Sequence, residues 1–170
     1  GRVPNTQGLG LETAGVSLGP KGEVVVDEFS KTTADHIYAI GDAACFLSAA
    51  GTRRRYESVQ NANDQARALA KTLSGEPTAY GALPWFWSDQ GAIKLQMAGD
   101  SSDASETVIV EGAQPPQAAA FCFDAQNHLC ALETINWPAY HALSRKALSD
   151  GRVISRDELA AADFDLKAAL

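Results

Sequence analysis

No run of about 18 or more consecutive apolar residues occurs in the sequence, so no stretch reads as a membrane-spanning helix. No signal-peptide pattern opens it as given. Cysteine is scarce: Cys45, Cys122 and Cys130 are odd in number and include no C-x-x-C pair. That argues against a disulfide framework and a zinc site, and it fits a reducing cytoplasm. His36, His128 and His141 are scattered without ligand-like spacing, and no metal site is expected. Positive charge is in deficit. The formal net charge of −7 argues against broad nucleic-acid binding. No G-x-G-x-x-G is found. The glycine-rich turn that seats a dinucleotide pyrophosphate on a helix N-terminus is therefore missing from these residues.

What is present suffices for packed structure. With 170 residues, 45% of them apolar, the chain can fill one ordinary domain or two small pieces. The stretch Thr33 to Asp42, TADHIYAIGD, organises the rest. Ile37 to Ile40 is expected to form a short apolar strand that stops at Gly41-Asp42. Such a strand places a bare backbone and then a carboxylate at the carboxyl edge of a sheet, where open α/β sheets bind ligands. Gly41 lets a ligand approach the main chain with no Cβ in the way. Asp42 can accept hydrogen bonds from a row of hydroxyls.

Residues 6 to 31 read as a short helix or turn followed by a hairpin, with a strand over Glu23 to Asp27 favoured by the branched Val24, Val25 and Val26. After Asp42, Ala43 to Phe46 is expected to open a helical turn, and Gly51-Thr52 marks a loop. Arg53, Arg54 and Arg55 make a compact basic cluster. Two readings of it stand: a solvated face, or a patch that steers an acidic partner and raises its on-rate.

Glu57 to Leu73 is expected to be a helix. Val59, Ala62, Ala66, Leu69, Ala70 and Leu73 recur at three- and four-residue steps. Ser58 suits the N-cap, Gly75 the C-terminal stop, and Pro77 blocks continuation. The helix start offers unpaired N–H groups and a positive dipole end, which favour an anion. Gly75 to Gly81 reads as a linker, with a domain boundary near Leu83. Pro84 to Gln90, PWFWSDQ, follows. Trp85 and Phe86 are expected in a core, since aromatics bury large apolar area. Strands are expected over Ile93–Ala98, Thr107–Val110, Ala118–Phe123 and Leu129–Ile135, the last two as a hairpin. A helix opening at Pro138 and stopping at Gly151, then a capping box of Ser155 and Glu158, complete the chain. Strands followed by helices argue an α+β domain with an antiparallel sheet.

Taken in order, GRVPNT, GEVVVDE, T-x-x-x-x-IYAIGDAA, RRRYESVQNANDQARALA and PWFWSDQ resemble the final third of the FAD-dependent NAD(P)H:ferredoxin reductases. That group includes the reductases of putidaredoxin, rubredoxin and ring-hydroxylating dioxygenases, and the related apoptosis-inducing factor. The resemblance runs over nearly the whole chain. It implies a C-terminal fragment: residues 1–82 as the last part of a Rossmann-like α/β FAD-binding domain, and 83–170 as the small α+β reductase C-terminal domain. It implies FAD as cofactor and NAD(P)H as donor, with the nucleotide domain upstream. It implies a ferredoxin-type [2Fe-2S] protein, or rubredoxin, as the electron acceptor. Carried over residue by residue, it gives Gly41, Asp42, Glu57, Ser58, Val59 and Trp87 as cofactor-binding residues. Val59 would act through its backbone at the helix start, and Trp87 would lie by the flavin on the side used for electron transfer. No catalytic acid, base or nucleophile is implied. The family usually continues PWFWSDQ with Tyr-Asp or a close variant. Here Gly91-Ala92 follows, which bears on local packing and on partner choice. A non-catalytic docking or dimerisation module is the other reading, and homodimer formation stays open.

Overall fold

A computed structural model describes residues 3–48 and 51–170. Gly1 and Arg2 of the opening motif, and Ala49 and Ala50, lie outside the described residues. The chain divides into two compact units, Gly1–Ala82 and Leu83–Leu170.

The first unit holds a three-stranded sheet in the order β1-β2-β3. β1 is Val24–Val25, β2 Ala44–Leu47 and β3 Arg53–Arg54. β1 runs parallel to β2, and β3 antiparallel to it. Glu23 to Asp27 thus contributes a shorter strand than expected, joined to Leu18 by one antiparallel bridge. Val16, Val24, Val26, Ala44, Phe46 and Tyr80 form the core. Phe46 meets Tyr80 edge-on at 4.8 Å and Tyr56 at 5.5 Å. Branched and aromatic side chains fill a pleated surface well.

Two expectations fail around the Gly-Asp pair. Ile37–Ile40 does not form a strand. Its backbone groups go to a local loop instead: Thr32 N–H bonds the Ile37 carbonyl at 3.0 Å, and Ala39 N–H the Ser30 carbonyl at 3.0 Å. With those groups spent locally, no sheet ladder runs through these residues. Nor does Ala43–Phe46 open a helical turn. Gly41–Ala43 forms a 3-10 turn, and Ala44–Leu47 is extended as β2. Gly41 and Asp42 therefore precede a strand rather than ending one, and the expected carboxyl-edge placement is corrected. The left-handed Gly41, φ 70°, makes this turn possible.

α1 spans Val59–Leu73. Ser58 caps it, accepting from Asn61 N–H at 3.1 Å, and the left-handed Gly75 follows its end. The buried residues of α1 are Gln60, Asn61 and Gln65. Val59 and Leu73, from the apolar stripe, stay 67% and 62% exposed. The stripe is thus not the face α1 buries within its own unit.

The second unit is a five-stranded antiparallel sheet, order β4-β5-β8-β7-β6. Its strands are β4 Trp85–Gln90, β5 Ile93–Gly99, β6 Glu106–Glu111, β7 Ala118–Phe123 and β8 Leu129–Ile135. Helices α2 (Pro138–Ser149), α3 (Arg156–Ala161) and α4 (Leu166–Ala169) follow. Period-two alternation aims Ala119, Phe121 and Phe123 of β7 at one face. There they join Leu132, Tyr140, Leu159 and Leu166 in the core. Pro138 opens α2, and Ser155 with Glu158 closes the expected capping box on α3. Phe86 is 38% exposed and Trp85 half-buried, so neither is a core residue as expected. Edge strand β4 has a neighbour on one side only, which leaves its aromatics partly open.

Candidate functional site

Gly41 fixes the geometry of the candidate site. It is buried, and its N–H donates to Gln65 Oε1 of α1 at 2.6 Å. A Cβ added at Gly41 would stand 3.4 Å from the Ala62 Cβ. The turn that carries Asp42 is therefore pressed against the first turns of α1. A side chain there would meet both the crowding and the positive φ. Asp42 itself stays exposed. Its carbonyl accepts from Arg55 Nη1 at 3.0 Å, and Arg55 Nη2 pairs with Glu57 at 2.5 Å. Arg55 thus links the Gly-Asp turn to the residue just before the helix cap.

At the helix start, the Ser58 hydroxyl serves Asn61 N–H, and the Ser58 carbonyl serves Ala62 N–H. The Val59 N–H has no hydrogen-bond partner among the described residues, as expected for a first-turn amide. Gly41, Asp42, Glu57, Ser58 and Val59 thus belong to one rim of the first unit. The rim combines an exposed carboxylate, a close-packed backbone and an open helix start.

A buried polar network underlies this rim, and it escaped the hydropathy pattern. Asn61, 1% exposed, donates to the Tyr56 carbonyl at 2.9 Å and accepts from the Tyr80 hydroxyl at 2.9 Å. Burial, with the nearby Asp64 charge, pushes Tyr80 up to about 12, so the phenol stays protonated as donor. Gln60 also bonds Asp64 along the helix. Gln65 is 1% exposed, and its Nε2 has no partner among the described residues. Gln60, Asn61 and Gln65 stand off the apolar stripe, so a hydropathy reading places them toward solvent. The one available signal is the four-residue step from Asn61 to Gln65 behind a Gly-Asp turn.

The arginine cluster is not a simple solvated face. Arg53 Nη1 donates to the Val26 carbonyl at 3.0 Å and the Cys45 carbonyl at 3.2 Å, so it ties the sheet together. Arg55 is engaged as described. Burial raises the Cys45 thiol, and all three cysteines are free thiols.

Trp87 belongs to the second unit. It lies on edge strand β4, 39% exposed, and stacks on Trp85 with centroids 5.5 Å apart. Beside it is a cleft of about 550 Å³ lined by Trp85, Gln96, Pro138, His141 and Arg145 among others. Among the described residues no group of three or more His, Cys, Asp or Glu side chains could hold a metal ion. No described helix is long and apolar enough to cross a membrane.

The second unit is thus an antiparallel sheet followed by helices, and the first carries a Gly-Asp turn packed on a helix start. Residues 85–170 match the family described as Reductase C-terminal, and the chain belongs to that family. Residues 1–66 match the family described as Pyridine nucleotide-disulphide oxidoreductase. Among curated proteins, rhodocoxin reductase of Rhodococcus erythropolis is 39% identical over 171 residues, covering 100% of this chain and 39% of that protein. A solved ferredoxin reductase from Rhodopseudomonas palustris is 38% identical with a TM-score of 0.86, covering 99% of this chain and 41% of that one. The covalent putidaredoxin reductase–putidaredoxin complex gives 30% identity and a TM-score of 0.86, covering 99% of this chain and 40% of that one. The chain spans about 40% of the length of the relatives it matches.

Proposed function

We propose that this chain is the C-terminal part of a flavoprotein reductase that passes electrons from NAD(P)H through FAD to a ferredoxin-type iron–sulfur protein. The observation that carries the proposal is the buried contact of Gly41 with α1. It holds an exposed carboxylate and an open helix start on one rim, and the likeness of residues 1–66 to a pyridine nucleotide-disulphide oxidoreductase supports reading that rim as a flavin contact. The residues fit such a group. The Asp42 carboxylate accepts hydrogen bonds from the hydroxyls of a ribityl chain. The Val59 N–H and the positive end of α1 favour the anionic edge of a flavin ring. Ser58 and Glu57 frame that helix start, and Arg55 holds Glu57 in place. FAD, when bound, supplies the chemistry: it takes a hydride and gives electrons onward. This chain's part is to bind, orient and shield, with no nucleophile required. Trp87 is proposed, on the family resemblance, as an aromatic that serves a flavin and shields it from water. The iron–sulfur acceptor is supported by the relatives' names, one of them solved joined to putidaredoxin. Free thiols throughout the described residues fit a reducing compartment, and a cytoplasmic location belongs to the proposal.

The test is FAD retention. In a flavin-loaded protein carrying this chain, Asp42→Ala is expected to weaken retention about tenfold, the equivalent of roughly 1.4 kcal/mol. Loss is read as free flavin after dialysis. Retention equal to the parent would remove Asp42 from the site.

A further inference from the structure

The helix-covered face of β4 carries a stack that the flavin reading leaves unexplained. Residues two apart on a strand point to the same side. Trp85 and Trp87 therefore share a face, opposite Ala98 and Gln96 of β5. Their indoles are 5.5 Å apart at 26°. Arg145 of α2 sets its guanidinium 4.3 Å over the Trp85 ring. His141, one turn earlier on α2, brings its imidazole within 6.0 Å of the same indole. His141 is 4% exposed, whereas Trp87 is 39% exposed. The order thus runs from a helix, through a half-buried indole, to an open one.

Two polar atoms of residues that line the cleft with Trp85, Gln96 Oε1 and His141 Nε2, are buried and have no partner among the described residues. Such atoms are costly, and a protein selected for stability alone would place apolar atoms there. Broken local rules of this kind gather where function sets residue choice.

We propose that Arg145 and His141 are positioning residues that clamp Trp85 and, through it, fix the plane of Trp87. The proposal rests on the reading that Trp87 serves the flavin. The cation sits on the electron-rich face of Trp85, an attraction that strengthens as water is excluded. His141 blocks the flank of the ring. Trp85 held in one rotamer then offers Trp87 one stacking surface. Released, the exposed Trp87 would sample other staggered wells.

Circular dichroism of the chain tests this, because a stacked indole pair gives an exciton couplet. Trp87→Phe is expected to abolish the couplet. That assigns it to the pair and not to Trp137, which stacks on Tyr140 at 3.9 Å. Arg145→Ala is expected to shrink it severalfold while the helix signal stays. Arg145→Lys, which keeps a cation over the ring, should restore most of it. A full couplet in Arg145→Ala overturns the proposal, as does a Lys variant no better than the Ala variant. A second measurement separates this from the flavin reading. In a flavin-loaded protein carrying this chain, Trp87→Phe should slow electron delivery to an iron–sulfur acceptor. If the couplet responds to Arg145 but delivery ignores Trp87, the clamp stands and the flavin role of Trp87 falls.

Discussion

The two units are stabilised by different means. The second has strands of six or seven residues around an apolar core in which Phe121, Leu132, Leu159 and Leu166 are fully buried. The first has strands of two to four residues, and its helix buries Gln60, Asn61 and Gln65. There, side-chain-to-backbone bonds replace long ladders: Arg53 to two carbonyls, Gln65 to Gly41, Asn61 to Tyr56. Apolar burial is non-directional and tolerant, whereas polar latches need their partners in place. The unit with the candidate rim is the one held by latches.

The sharpest way to break this comparison is to cut each unit at its own support. Phe121→Ala should cost about 3–5 kcal/mol, since it empties a fully buried site. Trp85, Trp87 and Trp137 all lie in the second unit, so urea unfolding followed by tryptophan fluorescence reads this loss. Gln65→Ala should cost roughly 1–3 kcal/mol, because it strands the buried Gly41 N–H. That loss should appear in hydrogen exchange of α1, with the tryptophan transition unmoved. A shift of the tryptophan midpoint by Gln65→Ala would undo the contrast. Ser58→Ala removes the α1 cap and should cost about 1 kcal/mol, seen as faster exchange of the Asn61 amide.

The smallest effect expected is on pH dependence. Burial first, and then the Arg145 charge, hold the His141 imidazole below its ordinary value of about 6.5. The unfolded chain therefore takes up this proton before the folded one does. The contribution is fully present above pH of about 6.5 and is lost as pH falls from there through the lower folded value. Urea midpoints of the second unit should drop on acidification, and His141→Gln should drop less. Equal drops would remove His141 as a source.

Legibility followed the same division. β7, β8, the Pro138 start of α2 and the capping box on α3 lie where alternation and turn chemistry put them, because local sequence decides those features. α4 was not anticipated; at four residues it is too short for a periodic signal. In the first unit, Ile37–Ile40 has the composition of a strand but makes only a single antiparallel bridge, Tyr38 with Lys31, and Ala44–Leu47 became one by pairing with Val24–Val25 far back in the chain. Strand formation there is a tertiary decision, and propensity yields to it. For the candidate rim, the Ser58 cap could be read from spacing. The contact of Gly41 with Ala62 and Gln65 could not, because it joins residues more than 20 apart. Gln65 and Asn61 stayed hidden because buried polar side chains carry no hydropathy signature.

Arg53 bears on how this surface can be redesigned. Its Nη1 alone reaches the carbonyls of both Val26 and Cys45, and a neutral side chain with no donor at that point loses both bonds at once. Neutralising the whole arginine triplet to retune partner attraction would therefore unfasten a structural rivet as well. Weaker association in such a triple variant would confound lost charge with a loosened scaffold, and only variants that spare Arg53 can tell the two apart.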